Sequence, residues 1–457
     1  MTEKPKKQKQ TNYDMTQGNP ARLLILFTIP MLIGNIFQQL YSAVDSIVVG
    51  RFVSIESMAA IGSTSSMLNF FLNMSIGLSN GLSIVTSQYF GARNEKMIHK
   101  ASANALLITI VVSSVMGILG LTVAKPLLIL LKTPEDILPL AHQYITIIFA
   151  GMICLLGYNV TASILRALGN SRTPLYFLIF SSILNIAADL LFVLVFDLGI
   201  SGVAYATVGA QGVSAILSVL YMRKHYPILH FSLKDIKPDW EFIGRVVKIG
   251  LPMGLQSALF AAGMMVIQGT INSYGTAVVA GYTAGVRVEN ITWIVFTTLG
   301  HSISNYIGQN VGAKNLERIH QGFWAAVKLC TITCIASTLV VYVFGTPMLR
   351  LFITADQPNI LEIAKGFLFV NATFYLPLGL IVLYNGCLRG MGDVATPMFS
   401  AFIELIIKVG GSLLLSFLFG YFGIWFAEPI GWVIAIIPSI IRYHRGKWKK
   451  KVLDLKV

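Results

Sequence analysis

Charged residues are scarce in this chain of 457 residues. Asp, Glu, Lys and Arg together make up 12% of the sequence, while hydrophobic residues make up 55% and the mean hydropathy is +0.71. An ordinary soluble domain carries about 25% charged residues. The chain therefore has too few charges to cover a surface that faces water, and the composition favours a protein whose solvent is the lipid bilayer.

Several motifs that would indicate other kinds of chemistry are also missing. The cysteines are Cys154, Cys330, Cys334 and Cys387. They form no C-x-x-C pair, which favours small core residues over disulfides or a zinc site. The single Gly-Lys pair, at 446–447, lacks the upstream glycine of a P-loop. No strand-turn-helix context supports GLSNG at 77–81 as a nucleophile motif. We therefore expect no enzyme, no bound cofactor and no ATP hydrolysis by this chain.

Long apolar segments dominate the rest of the sequence. A helix needs about 20 apolar residues to cross the hydrocarbon core of a bilayer. Twelve candidates occur, at 22–50, 57–87, 100–123, 137–164, 173–196, 200–222, 245–273, 277–308, 319–344, 359–387, 397–420 and 423–442. Strand alternation is not sustained, so a membrane barrel is not favoured. The prediction is an all-α integral membrane protein with twelve transmembrane helices, several of them long enough to tilt or kink.

Lysine and arginine are distributed unevenly between the ends of these spans. With the N-terminus inside, the inner segments hold 26 of the 34 basic residues and the outer ends hold 4. This bias predicts that both termini are cytoplasmic in the cell (inner or plasma) membrane. The first 20 residues are polar, so no cleavable signal peptide is expected. We attribute the net charge of +14 to topology and lipid headgroups, not to nucleic acid binding.

The sequence repeats itself after roughly half its length. QYFGARNEKMIH at 88–99 matches QNVGAKNLERIH at 309–320, and LRALGNSRTP at 165–174 matches LRGMGDVATP at 388–397. Collinear matches indicate duplication of a six-span unit, and an even number of spans gives two parallel repeats around a cleft. The predicted regions are a tail at 1–21, a lobe at 22–222, a linker at 223–244, a lobe at 245–442 and a basic tail at 443–457.

One glycine closes the second span of each repeat, Gly91 in the first and Gly312 in the second. Each is interpreted as the C-cap of its helix, and the alternative is a hinge on which the two lobes rock.

These segments resemble the multidrug and toxic compound extrusion (MATE) transporters over residues 15–445. The resemblance is carried by LYSAVDSIVVGRF (40–52), YFGARN (89–94), ILRALGNSRTP (164–174), LNIAADLLF (184–192), GVAYAT (202–207) and LRGMGDVATP (388–397). It implies twelve spans in two lobes, and export of amphipathic, mostly cationic drugs driven by a cation gradient.

Polar side chains of the first half fall at a similar predicted depth. At 1.5 Å per residue, Asp45 lies about 9 Å below the outer boundary, and Asp189 and Thr207 lie about 12 Å below it. Asn185 and Tyr41 lie one turn from the two carboxylates. Membrane charges are costly and hence usually functional or paired. The resemblance implies that Asp45, Asp189, Asn185 and Thr207 couple H⁺ or Na⁺; the alternative for the carboxylates is a structural role.

The second half lacks carboxylates where some branches of the family have them. The stretches GLQSALFAAG (254–263) and YLPLGLIVLY (375–384) contain none, which points to the DinF-like branch with coupling in the first lobe. Five other charges lie in its spans: Arg287, Glu289, Glu404, Lys408 and Glu428. Glu404 and Lys408 are four residues apart and are predicted to form a buried pair. Structural pairing between helices is the favoured role for all five.

Aromatic rings attract organic cations and methionine adapts to varied ligands. The candidate substrate-binding residues are Phe37, Gln38, Tyr41, Phe70, Phe71, Met74, Met264 and Met265. The alternative for each of them is contact with lipid or a neighbouring helix.

The sequence favours a secondary active multidrug exporter that exchanges drugs for H⁺ or Na⁺ by alternating access. Its expected partners are membrane lipid and small organic cations, and it is expected to be a monomer. The alternative is a flippase for a lipid-linked precursor, of the related MOP superfamily. Such cargo carries pyrophosphate and would favour a cleft rich in arginine, whereas the first lobe offers aspartates.

Overall fold

The computed structural model describes residues 14–231, 236–354 and 356–455. Parts of the predicted tails and linker, at 1–13, 232–235 and 456–457, lie outside the described residues. The first seven helices are α1 (Pro20–Phe52), α2 (Ile55–Gly91), α3 (Glu95–Leu130), α4 (Leu138–Ala150), α5 (Met152–Ala167), α6 (Arg172–Leu190) and α7 (Gly199–His225). The next are α8 (Trp240–Asn272), α9 (Thr276–Gly312), α10 (Leu316–Leu349), α11 (Pro358–Thr373), α12 (Tyr375–Gly390), α13 (Ala395–Phe419), α14 (Tyr421–His444) and α15 (Lys447–Leu453).

The helices account for the twelve predicted spans. Nine of the described helices are each long and apolar enough to cross a membrane. Two further spans are bent pairs, α4 with α5 at 48° and α11 with α12 at 53°. Helix α9, which at 37 residues is as long as α2, completes the twelve. The all-α membrane architecture is confirmed, and so is the expectation that some long spans are kinked.

The chain divides into two compact units, one ending at Arg245 and the other beginning at Val246, so the boundary lies inside α8. In the first unit, Phe71 meets Phe149 edge to face within a core built from α2, α3, α4, α5 and α7. In the second unit, Tyr282 stacks on Trp425 in a core that joins α8, α9, α11 and α14. Other large apolar side chains, such as Phe417, are exposed on the outer faces, as a lipid environment allows.

The first copy of the repeated motif builds the turn between α2 and α3. Asn94 N–H donates to Tyr89 C=O (3.1 Å) and Arg93 N–H donates to Phe90 C=O (3.0 Å), which together form a Schellman motif. Gly91 is the last helical residue, but the left-handed position is taken by Arg93, at φ 55°. The interpretation of this glycine as the C-cap is therefore wrong, because the C-cap is Ala92. The Asn94 side chain then caps α3.

The second copy repeats this turn between α9 and α10. Lys314 takes the left-handed position at φ 52°, two residues after Gly312, and the Asn315 side chain caps α10. A motif of Gly, Ala, a basic residue and Asn thus encodes one short connection in both halves. This connection explains the recurrence of the residues, and a hinge is not needed to account for it.

The predicted linker ends by attaching α8 to the first unit. Asp239 accepts the N–H of Phe242 (3.1 Å) and pairs with Lys100 of α3 (3.2 Å), while its own N–H donates to Asn104 Oδ1 (2.9 Å). The backbone N–H of Phe242, assisted by the Lys100 ammonium, lowers the pKa of Asp239 below its usual value. Arg245 donates to the Tyr89 hydroxyl at 2.9 Å. The first turns of α8 are therefore held by α2 and α3.

Candidate functional site

Two membrane-spanning helices of the first unit contribute the acidic residues of the candidate site. Asp45 lies on α1, and Asp189 lies in the last turn of α6. The segment Leu191–Val195 continues α6 as a π-helix. Such π-helical turns are rare and occur frequently at functional sites. The departure from α-helical geometry thus begins two residues after Asp189.

The structure brings the two carboxyl groups together. Asp45 and Asp189 are close enough to interact electrostatically, although neither carboxyl oxygen of Asp189 has a hydrogen-bonding partner among the described residues. The Tyr41 side chain of α1 interacts electrostatically with Asp45 and lies close to Thr207 of α7. Tyr144 of α4 faces both carboxyl groups. Asp189 is completely buried, at 0% exposed. Side chains from four helices therefore converge on one acidic pair.

Most polar atoms at this site have no hydrogen-bonding partner among the described residues. These atoms are Asp45 Oδ1, both carboxyl oxygens of Asp189, both amide heteroatoms of Asn185 and Thr207 Oγ1. Asn185 is 1% exposed and lies one turn before Asp189 on α6. Buried polar groups in folded proteins are nearly always partnered, and exceptions point to a bound ion, water or catalytic role. The set is therefore equipped to receive a ligand.

The chemistry of that ligand follows from the side chains present. Two ionised carboxylates accept hydrogen bonds and cannot donate one. A direct hydrogen bond between Asp45 and Asp189 therefore requires a proton on one of them. A hard cation, which prefers oxygen ligands, would also neutralise the pair. The described residues contain no cluster of three or more His, Cys, Asp or Glu side chains suited to a metal ion. Amide and hydroxyl oxygens of Asn185 and Thr207 would have to complete such a shell.

Comparisons with known proteins identify the family. The MatE family model matches the chain twice, over residues 30–191 and 252–412. The chain is 32% identical to the probable multidrug resistance protein YpnP of Bacillus subtilis, covering 96% of this chain and 98% of that protein. The chain belongs to the MatE family. It is therefore a membrane transport protein and not an enzyme, and the two matches coincide with the two sequence repeats.

Further similarities support the assignment of this MatE chain. It is 28% identical to the probable multidrug resistance protein YoeA of Bacillus subtilis, with 94% of each chain covered. The crystal structure of a MATE protein in the bent conformation has the same fold, with a TM-score of 0.90 at 22% identity, and covers 98% of this chain and 100% of that chain. The predicted fold of twelve spans in two repeats is confirmed.

Sequence reasoning missed three local features of the first unit. It placed Asp45, Asp189, Asn185 and Thr207 at a common depth but did not include Tyr144, which faces both carboxyl groups from α4. It also gave no sign of the π-helical turn after Asp189. The bend at Gly151 that ends α4 gave no direct signal, because the predicted span at 137–164 was continuous in its hydropathy.

The candidate substrate-binding residues differ in their surroundings. Phe37, Gln38 and Phe70 are exposed on α1 and α2, and Tyr41 and Met74 are half-buried. Met265 is exposed on α8, while Met264 packs against the core of the second unit. Phe71 is buried against Phe149. These positions make Phe71 a packing residue, and the role of the other seven remains a prediction.

The charges of the second unit correct one prediction. Lys408 Nζ forms a buried ion pair with Glu428 Oε1 of α14, not with Glu404. Helices α13 and α14 pack closely along their length, so the neighbouring helix offers Lys408 a carboxylate in a better position than its own helix does. Arg287 lies 5.6 Å from the centre of the Phe352 ring. Within the described ranges neither Arg287, Glu289 nor Glu404 has an ion-pair partner, so structural pairing holds only for Lys408 and Glu428.

Proposed function

We propose that this MatE protein is a secondary active multidrug exporter. It exchanges amphipathic, mostly cationic compounds for H⁺ or Na⁺, and it alternately opens to the two sides of the cell membrane. The names of its relatives YpnP and YoeA support the class of cargo. We further propose that both termini are cytoplasmic, as the basic residues predict, and that the protein functions as a monomer in contact with lipid.

The observation that carries this proposal is the pairing of Asp45 with Asp189. Both carboxyl groups lie on membrane-spanning helices, where a charge is expensive and is usually functional. Their unpartnered oxygens can accept a proton or a cation. In the proposed cycle Asp45 is ionised for one half-reaction and neutralised for the other. Asp189 shares the bound proton or cation with Asp45. Neutralising the two carboxylates therefore changes the interaction between α1 and α6.

The remaining polar groups of the site fit this role. Asn185 and Thr207 offer oxygens that are buried and unpartnered within the described part of the chain. Tyr41 lies near both Asp45 and Thr207, so a change in the charge of Asp45 alters the interactions of the Tyr41 hydroxyl. Two carboxylates would repel the negatively charged pyrophosphate of a lipid-linked precursor. The site therefore supports export of cations better than the flippase alternative.

Transport by the purified protein in liposomes tests the proposal. Ethidium uptake into these liposomes would be measured with a pH gradient alone, with an Na⁺ gradient alone and with neither. We expect one gradient to drive accumulation and the absence of both to abolish it. Ethidium movement that ignores both gradients, or that needs ATP, would contradict the proposal.

A further inference from the structure

A second acidic cluster lies within the second unit, on helices other than those that carry Asp45 and Asp189. Glu289 comes from α9, Glu404 and Lys408 from α13, and Glu428 from α14. Glu289 interacts electrostatically with Glu428 and Lys408. Glu404 likewise interacts with Lys408 and Glu428. Three carboxyl groups thus share a single ammonium group, and only one of them, Glu428, forms an ion pair with it.

The cluster contains buried polar atoms that lack partners among the described residues. Glu404 is 5% exposed, and its Oε1 has no donor there. Glu289 Oε1 and the Tyr375 hydroxyl are also without partners, and Tyr375 lies within electrostatic reach of Glu289. The indole N–H of Trp432, next to Glu404, makes no hydrogen bond to a described residue either. Buried polar groups are rarely left in this state. The cluster is therefore an incomplete polar network, not a closed one.

A break in a membrane-spanning helix adjoins this network. Helix α11 ends at Thr373 and α12 begins at Tyr375, with a bend of 53° between them. Asn371, in the last turn of α11, is 0% exposed, and both of its amide heteroatoms are unpartnered within the described chain. In transporters, discontinuous spans typically form the substrate and ion sites near the middle of the membrane. Tyr375, the first helical residue after the break, interacts electrostatically with Glu289, so the helix interruption lies near the acidic cluster.

Aromatic rings surround the charges. Lys408 Nζ lies 5.4 Å from the centre of the Phe260 ring, a distance at which an ammonium is attracted to a ring face. Tyr282 stacks on Trp425 with 5.6 Å between ring centres, and Tyr282 interacts electrostatically with Glu428 and Glu289. A combination of carboxylates and ring faces is the environment that organic cations prefer. Lys408 already occupies this environment as a cation attached to the chain.

The sequence repeat aligns Lys408 with a residue of the first candidate site. The offset that aligns residues 165–174 with 388–397 also aligns Asn185 with Lys408 and Asp189 with Ser412. Where the first unit has an amide one turn before its buried carboxylate, the second unit has its own ammonium group. The first site must take its cation from outside the protein, whereas the second carries one already.

We propose that the Glu289–Glu404–Lys408–Glu428 cluster binds one monovalent organic cation, which competes with the Lys408 ammonium for the carboxylates. The inference rests on the proposed export of cationic compounds and adds a cargo subsite to it. Glu289 and Glu404 attract the positive group of the cargo, and Phe260, Tyr282 and Tyr375 contact its apolar body. Lys408 holds Glu428 in the absence of cargo, and it returns to Glu428 when the cargo leaves.

Equilibrium binding of ethidium to the purified full-length protein in detergent tests the inference. Fluorescence anisotropy reports the dissociation constant and needs no ion gradient. Glu289→Gln removes one attracting charge and leaves the Lys408–Glu428 pair in place. We expect this variant to raise the dissociation constant for ethidium about tenfold. A change of that size corresponds to the loss of one hydrogen bond to a charged group. Lys408→Met removes the competing cation, and we expect the folded fraction to bind ethidium about threefold more tightly or better.

Matched controls come from a surface pair of the same unit. Glu362 and Lys365 pair at 2.8 Å near the start of α11, with Glu362 mostly exposed. Glu362→Gln and Lys365→Met make the same chemical changes outside the cluster and should leave ethidium affinity unchanged. Nile red, an uncharged aromatic probe, should bind equally to the wild type and to Glu289→Gln. Weakened Nile red binding by that variant would mean a general loss of packing and would overturn the inference.

The outcomes separate this inference from the proposed function. Export of ethidium by the wild type, with unchanged ethidium binding by Glu289→Gln and Lys408→Met, would overturn the cargo site and leave the function intact. Binding that depends on Glu289, without export driven by either gradient, would support the site and contradict the function. Weaker binding by Lys408→Met would also overturn the inference, because it would make Lys408 a support for the site and not a competitor of the cargo.

Discussion

Lys408 on α13 pairs with Glu428 on α14, although Glu404 lies only one turn away on its own helix. Lys408 is 4% exposed, so the pair is removed from bulk water. Removing one partner of a buried pair strands the other charge, whereas removing a carboxylate outside the pair does not. The stability of the second unit therefore depends on Glu428 far more than on Glu404.

This difference predicts the behaviour of two isosteric variants. Glu428→Gln should destabilise the protein by about 3–5 kcal/mol, the usual cost of leaving a buried charge unpaired. Glu404→Gln should fold nearly as well as the wild type. The measurement is the yield of monodisperse protein and its unfolding temperature in detergent. Glu428→Gln combined with Lys408→Met should recover most of the loss, and a double variant as unstable as Glu428→Gln would contradict the argument.

The acidic pair of the first unit predicts a transport defect without a folding defect. Asp45→Asn keeps the shape of the side chain but fixes it in the neutral state, so it should insert normally and fail to export drug against a gradient. Asp45→Glu keeps the charge and moves it by one methylene, so partial activity is expected. Drug efflux from cells, normalised to the amount of protein in the membrane, is the measurement.

The electrostatic interaction between Asp45 and Asp189 leads to a further prediction for the same efflux assay. Residues that share one proton or cation act as a unit, so their effects are not additive. Asp189→Asn added to Asp45→Asn should reduce efflux little beyond Asp45→Asn alone. Wild-type efflux by Asp45→Asn, or a full multiplicative loss in the double variant, would return the two residues to independent structural roles.

Asp239 predicts how stability depends on pH at the start of α8. Its pKa is lowered in the folded state, so its contribution is present above the unfolded pKa and disappears as the pH falls through the folded one. Asp239→Ala removes the cap and the pair with Lys100, and it should cost about 1 kcal/mol at pH 7. The difference in unfolding temperature between the wild type and Asp239→Ala should stay constant from pH 8 to pH 5. It should become smaller only below about pH 4. A narrowing near pH 6 would show that a histidine, not Asp239, sets the profile.

The left-handed backbone conformation of Arg93 predicts that glycine at this position is more stable than alanine. A side chain with a Cβ is strained at φ 55°, whereas glycine is not. Arg93→Gly should therefore be more stable than Arg93→Ala by about 1 kcal/mol. Both variants lose the same exposed contact with Asp14, so comparing the two isolates the backbone term. Equal unfolding temperatures for the two would mean that this turn relaxes out of the left-handed region.

The spans, and the grouping of Asp45 with Asp189, could be predicted because they depend on local patterns. Hydropathy reports burial in lipid directly, and helical rise converts sequence distance into depth, which put Asp45 and Asp189 at nearly the same level. The repeated motif was visible because the turn it encodes is built by adjacent residues such as Arg93 and Asn94.

Features that depend on neighbouring helices could not be predicted in this way. Spacing on one helix made Glu404 the natural partner of Lys408, but the choice was made by the packing of α14 on α13. Tyr144 belongs to the first site because α4 packs in the same unit, and neither that packing nor the bend after α4 is reported by hydropathy. The π-helical turn after Asp189 likewise has no recognised signal in the sequence.

The bent spans also constrain how the chain enters the membrane during synthesis. Helix α4 has 13 residues and α5 has 16. At 1.5 Å per residue these lengths reach about 20 and 24 Å, short of the roughly 30 Å hydrocarbon core. Neither segment can cross by itself, so the translocon must release them together. Helix α7 packs against both, and the polar backbone at their junction gains its final cover only after that later helix has been made.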